Sequence, residues 1–417
     1  MRVLIKKAKI YQSNSPFHLQ QKDLLIKNGV ISKIDDVINT TADKVVEAEG
    51  LSVSMGWIDM NVQVGDPGFE HHEDLTTALD AAAHGGFTRI GVMPNSFPVV
   101  DSKSQVEYLK NRSQSHLVEV YPIGSISEKA EGKNISEMYD MHLSGAMAFS
   151  DGKKSISANL LKKSLLYTDK FLKRVIVFSE DESIAQEGVV NESENTIHLG
   201  MKVRPSLAEN IEVRRNIELL RYTGGAIHLT GISSKESVQA IREAKAEGLN
   251  VSADSAISNV VFTDKDYSNF DSAWKVLPML RTEEDAKSII EGLEDGTIDF
   301  VSSHHDPKDK ESKDLEFDRA AFGISSIETL FSSWSNQSID VESLIKGLSE
   351  NTREVFDLNR SEIKEGEKAE ITLFSEELTK EYSSNNLKSR SKSSPFLNQT
   401  LKGSVVGVIN GSQIMLS

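Results

Sequence analysis

The chain has 417 residues, of which 38% are hydrophobic, and it carries a formal net charge of −16 and no cysteine. This length and apolar content are sufficient for one large α/β domain and one small domain. The acidic excess would repel nucleic-acid phosphates and anionic lipids, so neither is expected as a partner. The absence of cysteine excludes disulfides and thiolate-bound zinc.

The sequence has no membrane-spanning signal, because it contains no run of about 18 apolar residues. At the amino terminus, Met1–Lys7 includes charged side chains where a signal peptide would need its apolar region. We therefore expect a cytoplasmic protein.

Residues 1–54 are predicted to form a β module. Two strand-like segments, Leu24–Lys27 and Val30–Ile34, flank the dipeptide Asn28-Gly29. Asn-Gly suits the positive φ angles of a type I′ turn, so the pattern predicts a β-hairpin.

Residues 55–360 alternate β-rich segments with amphipathic helical patterns such as Glu209–Tyr222 and Ser234–Glu247. Repeated strand–helix alternation is typical of a parallel sheet, and we predict a (β/α)₈ TIM barrel. The predicted strands include Thr88–Met93, Val118–Ile123, Val175–Phe178, Ala226–Leu229, Leu249–Ala253 and Ile298–Ser302.

Residues 361–417 return to strands and turns. Ala369–Phe374 and Val405–Gly411 are β-rich and are expected to complete the sheet begun by residues 1–54. Glu376–Ser394 is polar and rich in serine, which predicts a long loop.

The segment Trp57–Gln63 resembles the first strand of a metal-dependent hydrolase barrel. Residues i and i+2 of a strand point to the same face, so a His-x-His pair there would bind one metal ion. Asn61 and Gln63 occupy those two positions. Their amide oxygens are poor zinc ligands compared with imidazole, thiolate or carboxylate.

A succession of motifs along the chain is similar to that of dihydroorotases, within the amidohydrolase superfamily. The resemblance extends over nearly the whole sequence and implies an amidohydrolase-type (β/α)₈ barrel with a small β-sandwich domain formed by both termini. The matching segments are Asp66-Pro67-Gly68, Glu73-Asp74, Gly85–Thr88, Met93-Pro94-Asn95, Ala148–Gly152, Glu180-Asp181, Thr223-Gly224-Gly225, Leu280-Arg281, Lys388-Ser389-Arg390, Ser394-Pro395-Phe396 and Leu401-Lys402-Gly403.

The resemblance also implies that the family's functional residues are largely replaced. Positions of metal-ligand histidines are Asn61, Gln63, Phe178 and Gly231, and His304 replaces the catalytic aspartate. Gly65 replaces the arginine that binds the substrate carboxylate. Asp151, which matches the aspartate region near the metals, is retained together with Asn95 and Arg281.

These replacements predict the loss of dihydroorotase activity and of bound metal. Zinc lowers the pKa of bound water from about 15.7 to about 7 and polarises the amide carbonyl. Losing the general base removes a further factor of about 10²–10⁴.

Two alternatives remain open for the histidines. A relocated metal site would need other ligands, but His71-His72 and His304-His305 are adjacent pairs, and strand neighbours face opposite ways. A residual pocket at the carboxyl end of the eighth strand would use His304, His305 and Asp306. His228 is more typical of a histidine hydrogen-bonded within a barrel strand than of a ligand.

The resemblance implies a function in pyrimidine biosynthesis. Degenerate family members serve aspartate transcarbamoylase as assembly partners, and we expect that role and an oligomeric state here. The alternatives are an active zinc-dependent dihydroorotase that interconverts dihydroorotate and carbamoyl aspartate, and a repurposed amidohydrolase or ligand sensor.

Overall fold

The computed structural model describes residues 1–337 and 339–417, with all side chains of these residues except those of 268 and 269. Two eight-stranded sheets dominate the fold, and a two-stranded sheet accompanies them. The strands are β1 (Arg2–Tyr11), β2 (Gln21–Lys27), β3 (Val30–Asp35), β4 (Lys44–Val46), β5 (Leu51–Met55), β6 (Trp57–Val62), β7 (Phe87–Val92), β8 (Glu119–Gly124), β9 (Ala148–Phe149), β10 (Val175–Phe178), β11 (Val190–Asn191), β12 (Val203–Arg204), β13 (Ile227–Thr230), β14 (Val251–Ala256), β15 (Phe300–Ser302), β16 (Glu370–Tyr382), β17 (Gln399–Asn410) and β18 (Gln413–Leu416).

Most of the helices connect the strands of the second sheet. They are α1 (Leu75–His84), α2 (Lys103–Ser113), α3 (Met138–Leu143), α4 (Ala158–Thr168), α5 (Glu182–Ala185), α6 (Leu207–Thr223), α7 (Lys235–Ala246), α8 (Ile257–Val261), α9 (Glu283–Asp295), α10 (Lys310–Lys313), α11 (Leu330–Ser335), α12 (Val341–Lys346) and α13 (Thr352–Val355). In the described part of the chain, none of these helices combines the length and apolarity needed to cross a bilayer.

The second sheet is the predicted parallel barrel. Its strand order is β6-β7-β8-β9-β10-β13-β14-β15, and a parallel bridge between Val62 and His305 joins the last strand region to the first. The Gln63 amide donates to the His305 carbonyl at 2.8 Å across the same closure. The carboxyl ends of all eight strands therefore lie at one face, where barrel proteins place their functional groups.

The packing of the barrel follows from its residue pattern. β6, β7 and β14 are buried along their whole length, as expected for strands covered by side chains inside and helices outside. α7 is an amphipathic helix, because Val238, Ile241 and Ala244 are buried on one face. The Ser234 side chain accepts a hydrogen bond from the Ser237 amide and caps the start of this helix.

The other large sheet is built from both termini. Its order is β18-β17-β16-β5-β1-β2-β3, with β4 paired to β1. The predicted hairpin forms, since β2 and β3 pair antiparallel with Lys27 opposite Val30, and Asn28 and Gly29 have φ angles of 51° and 81°. The strands that the sequence places at the two ends of the chain thus complete one sheet.

The prediction of a loop beginning at Glu376 is wrong for its first third. β16 continues to Tyr382, and Thr379, Lys380 and Glu381 pair with β17. Residues 376–382 alternate between less and more exposed positions, which is the pattern of a strand with one solvated face. Their polar composition reflects that solvated face, and composition alone does not distinguish it from a loop.

Candidate functional site

The positions expected to carry a His-x-His pair do not meet in one site. Asn61 lies in β6 with only 2% of its surface exposed, and its amide nitrogen donates to the Thr230 hydroxyl at 2.8 Å. Gln63 follows the end of β6 and lines a separate pocket. The chain therefore uses the two amides in different surroundings, one inside the barrel and one at its mouth.

Asp254 is the centre of the polar cluster inside the barrel. Asp254 lies in the second half of β14. Its Oδ2 lies 3.0 Å from His228 Nε2 and accepts from the Thr230 hydroxyl at 2.9 Å. Its Oδ1 lies 3.0 Å from His304 Nε2 and accepts from the Gly231 amide at 2.8 Å. We call Asn61, His228, Thr230, Asp254 and His304 the barrel network.

The other nitrogens of the two imidazoles have polar neighbours as well. His228 Nδ1 lies 2.9 Å from the Ser252 hydroxyl, and the His304 ring lies 3.4 Å from the Asn61 amide nitrogen. His304 has a φ of 48°, in the left-handed region that few residues with side chains adopt. The network thus extends over four strands or strand ends of the barrel.

The electrostatics of the network favour a charged Asp254. Burial alone would raise the pKa of this carboxyl, but His304 and His228 hold its pKa well below the usual value. A second buried carboxylate, Asp59, accepts from the backbone N–H groups of Asn61 and Ser303 at 2.9 and 2.8 Å, and burial raises its pKa. The pKa values of Asp254 and Asp59 are therefore shifted in opposite directions.

Two positions that the resemblance aligns with ligand histidines, Gly231 and Phe178, border this arrangement. A Cβ atom on Gly231, which has a φ of 73°, would lie 2.9 Å from His304 Cε1 and 2.7 Å from Pro278 Cγ. Phe178 at the end of β10 is buried, and its ring lies beside the same point. His304 therefore occupies space that a side chain at position 231 would need.

Asp151, expected beside the metals, has a different partner set. Its Oδ1 accepts from the Ile126 and Ser127 amides at 2.8 and 2.9 Å, and its Oδ2 accepts from the Ser127 hydroxyl. Burial raises the pKa of this carboxyl in spite of these donors. Asp151 holds the loop that follows β8, which is sufficient to explain its presence.

Arg281 and Gly65 were both expected at a substrate carboxylate, but they have different surroundings. Arg281 is buried and donates to the Ser233 hydroxyl at 3.2 Å and to the Asn191 side-chain oxygen at 2.7 Å. A Cβ atom on Gly65 would lie 2.1 Å from the Phe69 carbonyl oxygen. An arginine could not occupy position 65 without a shift of this backbone.

The pocket at the mouth of the barrel has a volume of about 370 Å³. It is lined by Gln63, Val64, Gly65, Phe69, His72, Glu73, Asn95, Lys153, Lys154, Asp306, Pro307 and Lys308. Asn95 has a side-chain oxygen that is buried and has no hydrogen-bond partner among the described residues. Among the described residues, no member of the barrel network is in this lining, and the network residues are at most 5% exposed.

The Asp306 carboxylate in the pocket lining is paired with two lysines. Its carboxylate lies 3.0 Å from the Lys153 ammonium and 2.7 Å from the Lys308 ammonium. Burial would raise the pKa of Asp306, but the two lysines hold its pKa far below the usual value. The pocket therefore presents two cations around one carboxylate.

His228 and His305, expected to border a residual pocket, lie outside this lining. His305 is fully buried, and its Nδ1 accepts from the Ser326 and Ile327 amides at 3.2 and 3.4 Å. Its Nε2 lies 3.5 Å from Glu73 Oε2. The pKa of Glu73 is lowered by His305 against the effect of burial.

A two-metal centre in the barrel does not fit these residues. Asn61, Phe178 and Gly231 provide no imidazole, and both oxygens of Asp254 are already paired with histidine, hydroxyl and amide groups. The Asn61 side-chain oxygen is buried without a partner among the described residues, but one amide oxygen is a weak zinc ligand. No reaction step can be assigned to a metal at this place.

The fold is a barrel of the amidohydrolase type. The L-hydantoinase of Arthrobacter aurescens superposes with a TM-score of 0.86 over 100% of this chain and 96% of that chain, at 21% identity. A Dihydro-orotase-like family model matches residues 51–237.

Sequence relatives define the family. A dihydroorotase of Acetivibrio thermocellus is 37% identical over 94% of this chain and 94% of its own length. A dihydroorotase of Syntrophus aciditrophicus is 33% identical over 97% of both chains. The chain belongs to the dihydroorotase family.

Sequence reasoning did not identify Asp254, Thr230, Lys153 or Lys308. The predicted strand Leu249–Ala253 stops one residue before Asp254, and an acidic residue that continues a buried strand at its carboxyl end is a usable signal. The lysines had no such signal, because they lie in loops dense in charged residues.

Proposed function

We propose that this protein is a non-catalytic member of the dihydroorotase family that takes part in pyrimidine biosynthesis as a structural partner of aspartate transcarbamoylase. The barrel network carries the proposal. Asp254 binds two imidazoles and two further donors at the place where a hydrolytic centre would have to bind metal, water and substrate.

The burial of the network supports the loss of catalysis. A general base must come within hydrogen-bond reach of the substrate or of the attacking water. His228 and Asp254 are each 1% exposed and His304 is 5% exposed, and the mouth pocket has none of them in its lining. A substrate in that pocket would therefore not contact these groups.

The preserved scaffold supports a structural role. The barrel superposes on a hydantoinase over its full length, although the positions expected to bind metal and substrate carry Asn61, Phe178, Gly231 and Gly65. A chain that retains its fold without its chemistry is suited to binding another protein. The family resemblance supplies aspartate transcarbamoylase as that partner.

An active dihydroorotase is the second candidate, and one observation favours it. The relatives at 33–37% identity over nearly the whole chain are named dihydroorotases. This candidate requires a working nucleophile without the usual zinc ligands of the family.

One experiment separates the two candidates. The purified protein is mixed with the aspartate transcarbamoylase of the same organism and analysed by size-exclusion chromatography with light scattering. Conversion of dihydroorotate to carbamoyl aspartate is measured with and without that enzyme, in zinc-containing buffer. We expect a stable complex of both chains and no turnover above the buffer rate.

The dihydroorotase of Acetivibrio thermocellus is the matched control for turnover, because it is 37% identical and of similar length. Turnover by the present chain, with about two zinc ions per subunit, would overturn the non-catalytic assignment. Separate elution of the two proteins at micromolar concentrations would overturn the partner assignment.

A further inference from the structure

Two histidines and an aspartate converge at the rim of the mouth pocket. His71 and His72 lie between β6 and α1, and Asp309 precedes α10 after the last barrel strand. Each offers one ligand atom, and these atoms lie within 4.8 Å of one another. We call these three residues the rim cluster.

The adjacent histidines converge because they lie in a turn. The expectation that neighbours face opposite ways assumed an extended strand, but residues 70–72 form a turn, in which the His72 amide donates to the Phe69 carbonyl at 2.9 Å. The His71 and His72 ring centroids are 4.2 Å apart. The argument against chelation by this pair is therefore wrong.

His72 and Asp309 are already in ligand-like contact. His72 Nε2 lies 3.0 Å from Asp309 Oδ1, and their side chains are 24% and 14% exposed. A metal ion would take the place of the proton shared between them, as it does whenever imidazole and carboxylate become ligands. His71 is exposed and can turn towards the same point without disturbing the core.

The surrounding structure holds the cluster in position. The His72 ring stacks on Phe69, with centroids 6.0 Å apart and an interplanar angle of 13°. Asp309 also accepts from the Ser312 hydroxyl at 2.5 Å. Lys313 anchors the end of the same loop by donating to the Ala321 and Gly323 carbonyls at 2.9 and 3.0 Å.

The donor chemistry fits zinc. Two imidazoles and one carboxylate form a three-ligand set that leaves a fourth position for water. Imidazole nitrogens and a carboxylate oxygen are the commonest zinc ligands in cysteine-free sites, and the contact between His72 Nε2 and Asp309 Oδ1 at 3.0 Å already brings two of them together.

We propose that His71, His72 and Asp309 bind one Zn²⁺ ion at the rim of the pocket. This site is separate from the barrel network, and it does not depend on the partner or on the lack of dihydroorotase activity. Among the described residues, the rim cluster is the group of three His, Asp or Glu side chains whose ligand atoms all lie within 4.8 Å of one another.

The test is zinc binding to the full-length protein, with zinc chloride alone as the probe. Isothermal titration and competition with a chromophoric chelator give the stoichiometry and the dissociation constant. We expect one ion per subunit. His72→Ala and Asp309→Asn should each weaken zinc binding by at least about tenfold. Even mutation of residues that only hydrogen-bond a metal ligand lowers metal affinity by about 10–100-fold.

His116→Ala is the matched control. His116 is 24% exposed in its side chain, as His72 is, and its Nε2 lies 3.3 Å from Asp80, but no third His, Asp or Glu of the described residues joins this pair. Its removal should leave the zinc affinity unchanged. His71→Ala provides a second variant at an exposed position, where misfolding is not expected.

Cobalt substitution locates the ion independently of affinity. The visible spectrum of the Co²⁺ form should show the strong bands of a four-coordinate site, and His72→Ala should abolish them. Unchanged zinc affinity in the His71, His72 and Asp309 variants would overturn the proposal, as would a stoichiometry of two that survives their mutation. The latter result would instead place metal in the barrel.

Discussion

Asp254 carries a buried negative charge between two imidazole rings, and its surroundings explain why its pKa is depressed. The carboxylate is 1% exposed and accepts or shares four hydrogen bonds. An isolated buried carboxylate would become neutral, since burial disfavours charge. The barrel network therefore depends on the matching of this one acid with His228 and His304.

Replacement of Asp254 by asparagine tests that dependence. Asp254→Asn keeps the shape but removes the charge, and we expect the free energy of unfolding to fall by about 3 kcal/mol, the range for breaking charged buried hydrogen bonds. Urea denaturation at pH 7 measures it. Asp140→Asn on the exposed face of α3 is the control and should change stability by less than about 0.5 kcal/mol.

The stability difference between the wild type and Asp254→Asn is also expected to depend on pH. Because the pKa of Asp254 is lower in the folded state than its usual 3.8, its stabilising effect is complete above about pH 4 and is lost progressively as the pH falls from there towards the folded-state value. The stability difference between wild type and Asp254→Asn should therefore shrink in acid. A difference that is constant from pH 7 to pH 3 would contradict the assignment.

The short helix α10 and its loop are held by a buried ammonium group. Burial lowers the pKa of Lys313 to about 7, and the neighbouring Lys275 cation adds to this effect. Lys275 is itself buried and donates to the Phe317 carbonyl at 2.7 Å. A segment that is dense in charged residues is thus ordered by two lysines that point inward.

Lys313→Met should change the pH dependence of stability. A lysine whose pKa is lower in the folded state opposes folding while it is protonated, so stability rises as the pH increases from about 7 towards 10.5. Between pH 7 and pH 9 this rise amounts to about 2 kcal/mol for one group. The variant should lack it in urea denaturation series at the two pH values.

Lys310→Met is the control for that series, because Lys310 lies in the same helix but is exposed. It should keep the wild-type pH dependence. Parallel curves for all three proteins would show that Lys313 is charged throughout this range.

At the level of the whole chain, the terminal sheet and the barrel are joined by a buried ion cluster. Glu370, the first residue of β16, lies 2.9 Å from Arg353 and 2.6 Å from Arg89. It also accepts from the Thr88 and Ser361 hydroxyls at 3.0 and 2.7 Å. Burial would raise the pKa of Glu370, but Arg353 and Arg89 hold it below its usual value.

Glu370→Gln should destabilise the whole protein by about 3–5 kcal/mol, since it leaves two buried guanidinium groups without their counter-charge. Differential scanning calorimetry measures the loss as a lower midpoint. Glu119→Gln is the matched control, because Glu119 contacts the same Arg89 at 3.7 Å but its side chain is 52% exposed. Exposed pairs contribute only about 0–1 kcal/mol, so equal effects of the two variants would refute a special role for the buried cluster.

Local sequence was sufficient for the barrel and for the hairpin at Asn28-Gly29. Strand–helix periodicity and turn chemistry act over a few residues, so both can be recognised without the folded structure. The polar stretch after Glu376 shows where this fails, since its strand is stabilised by pairing with β17.

The barrel network and the rim cluster form only when the barrel closes. Asp254 meets His228 across 26 positions and His304 across 50 positions of the sequence, and Asp309 reaches His72 from the opposite end of the barrel sequence. No local pattern encodes such contacts, because they depend on which strands become neighbours and on how each loop turns. A turn at residues 70–72, where an extended backbone was expected, is what brings His71 and His72 together.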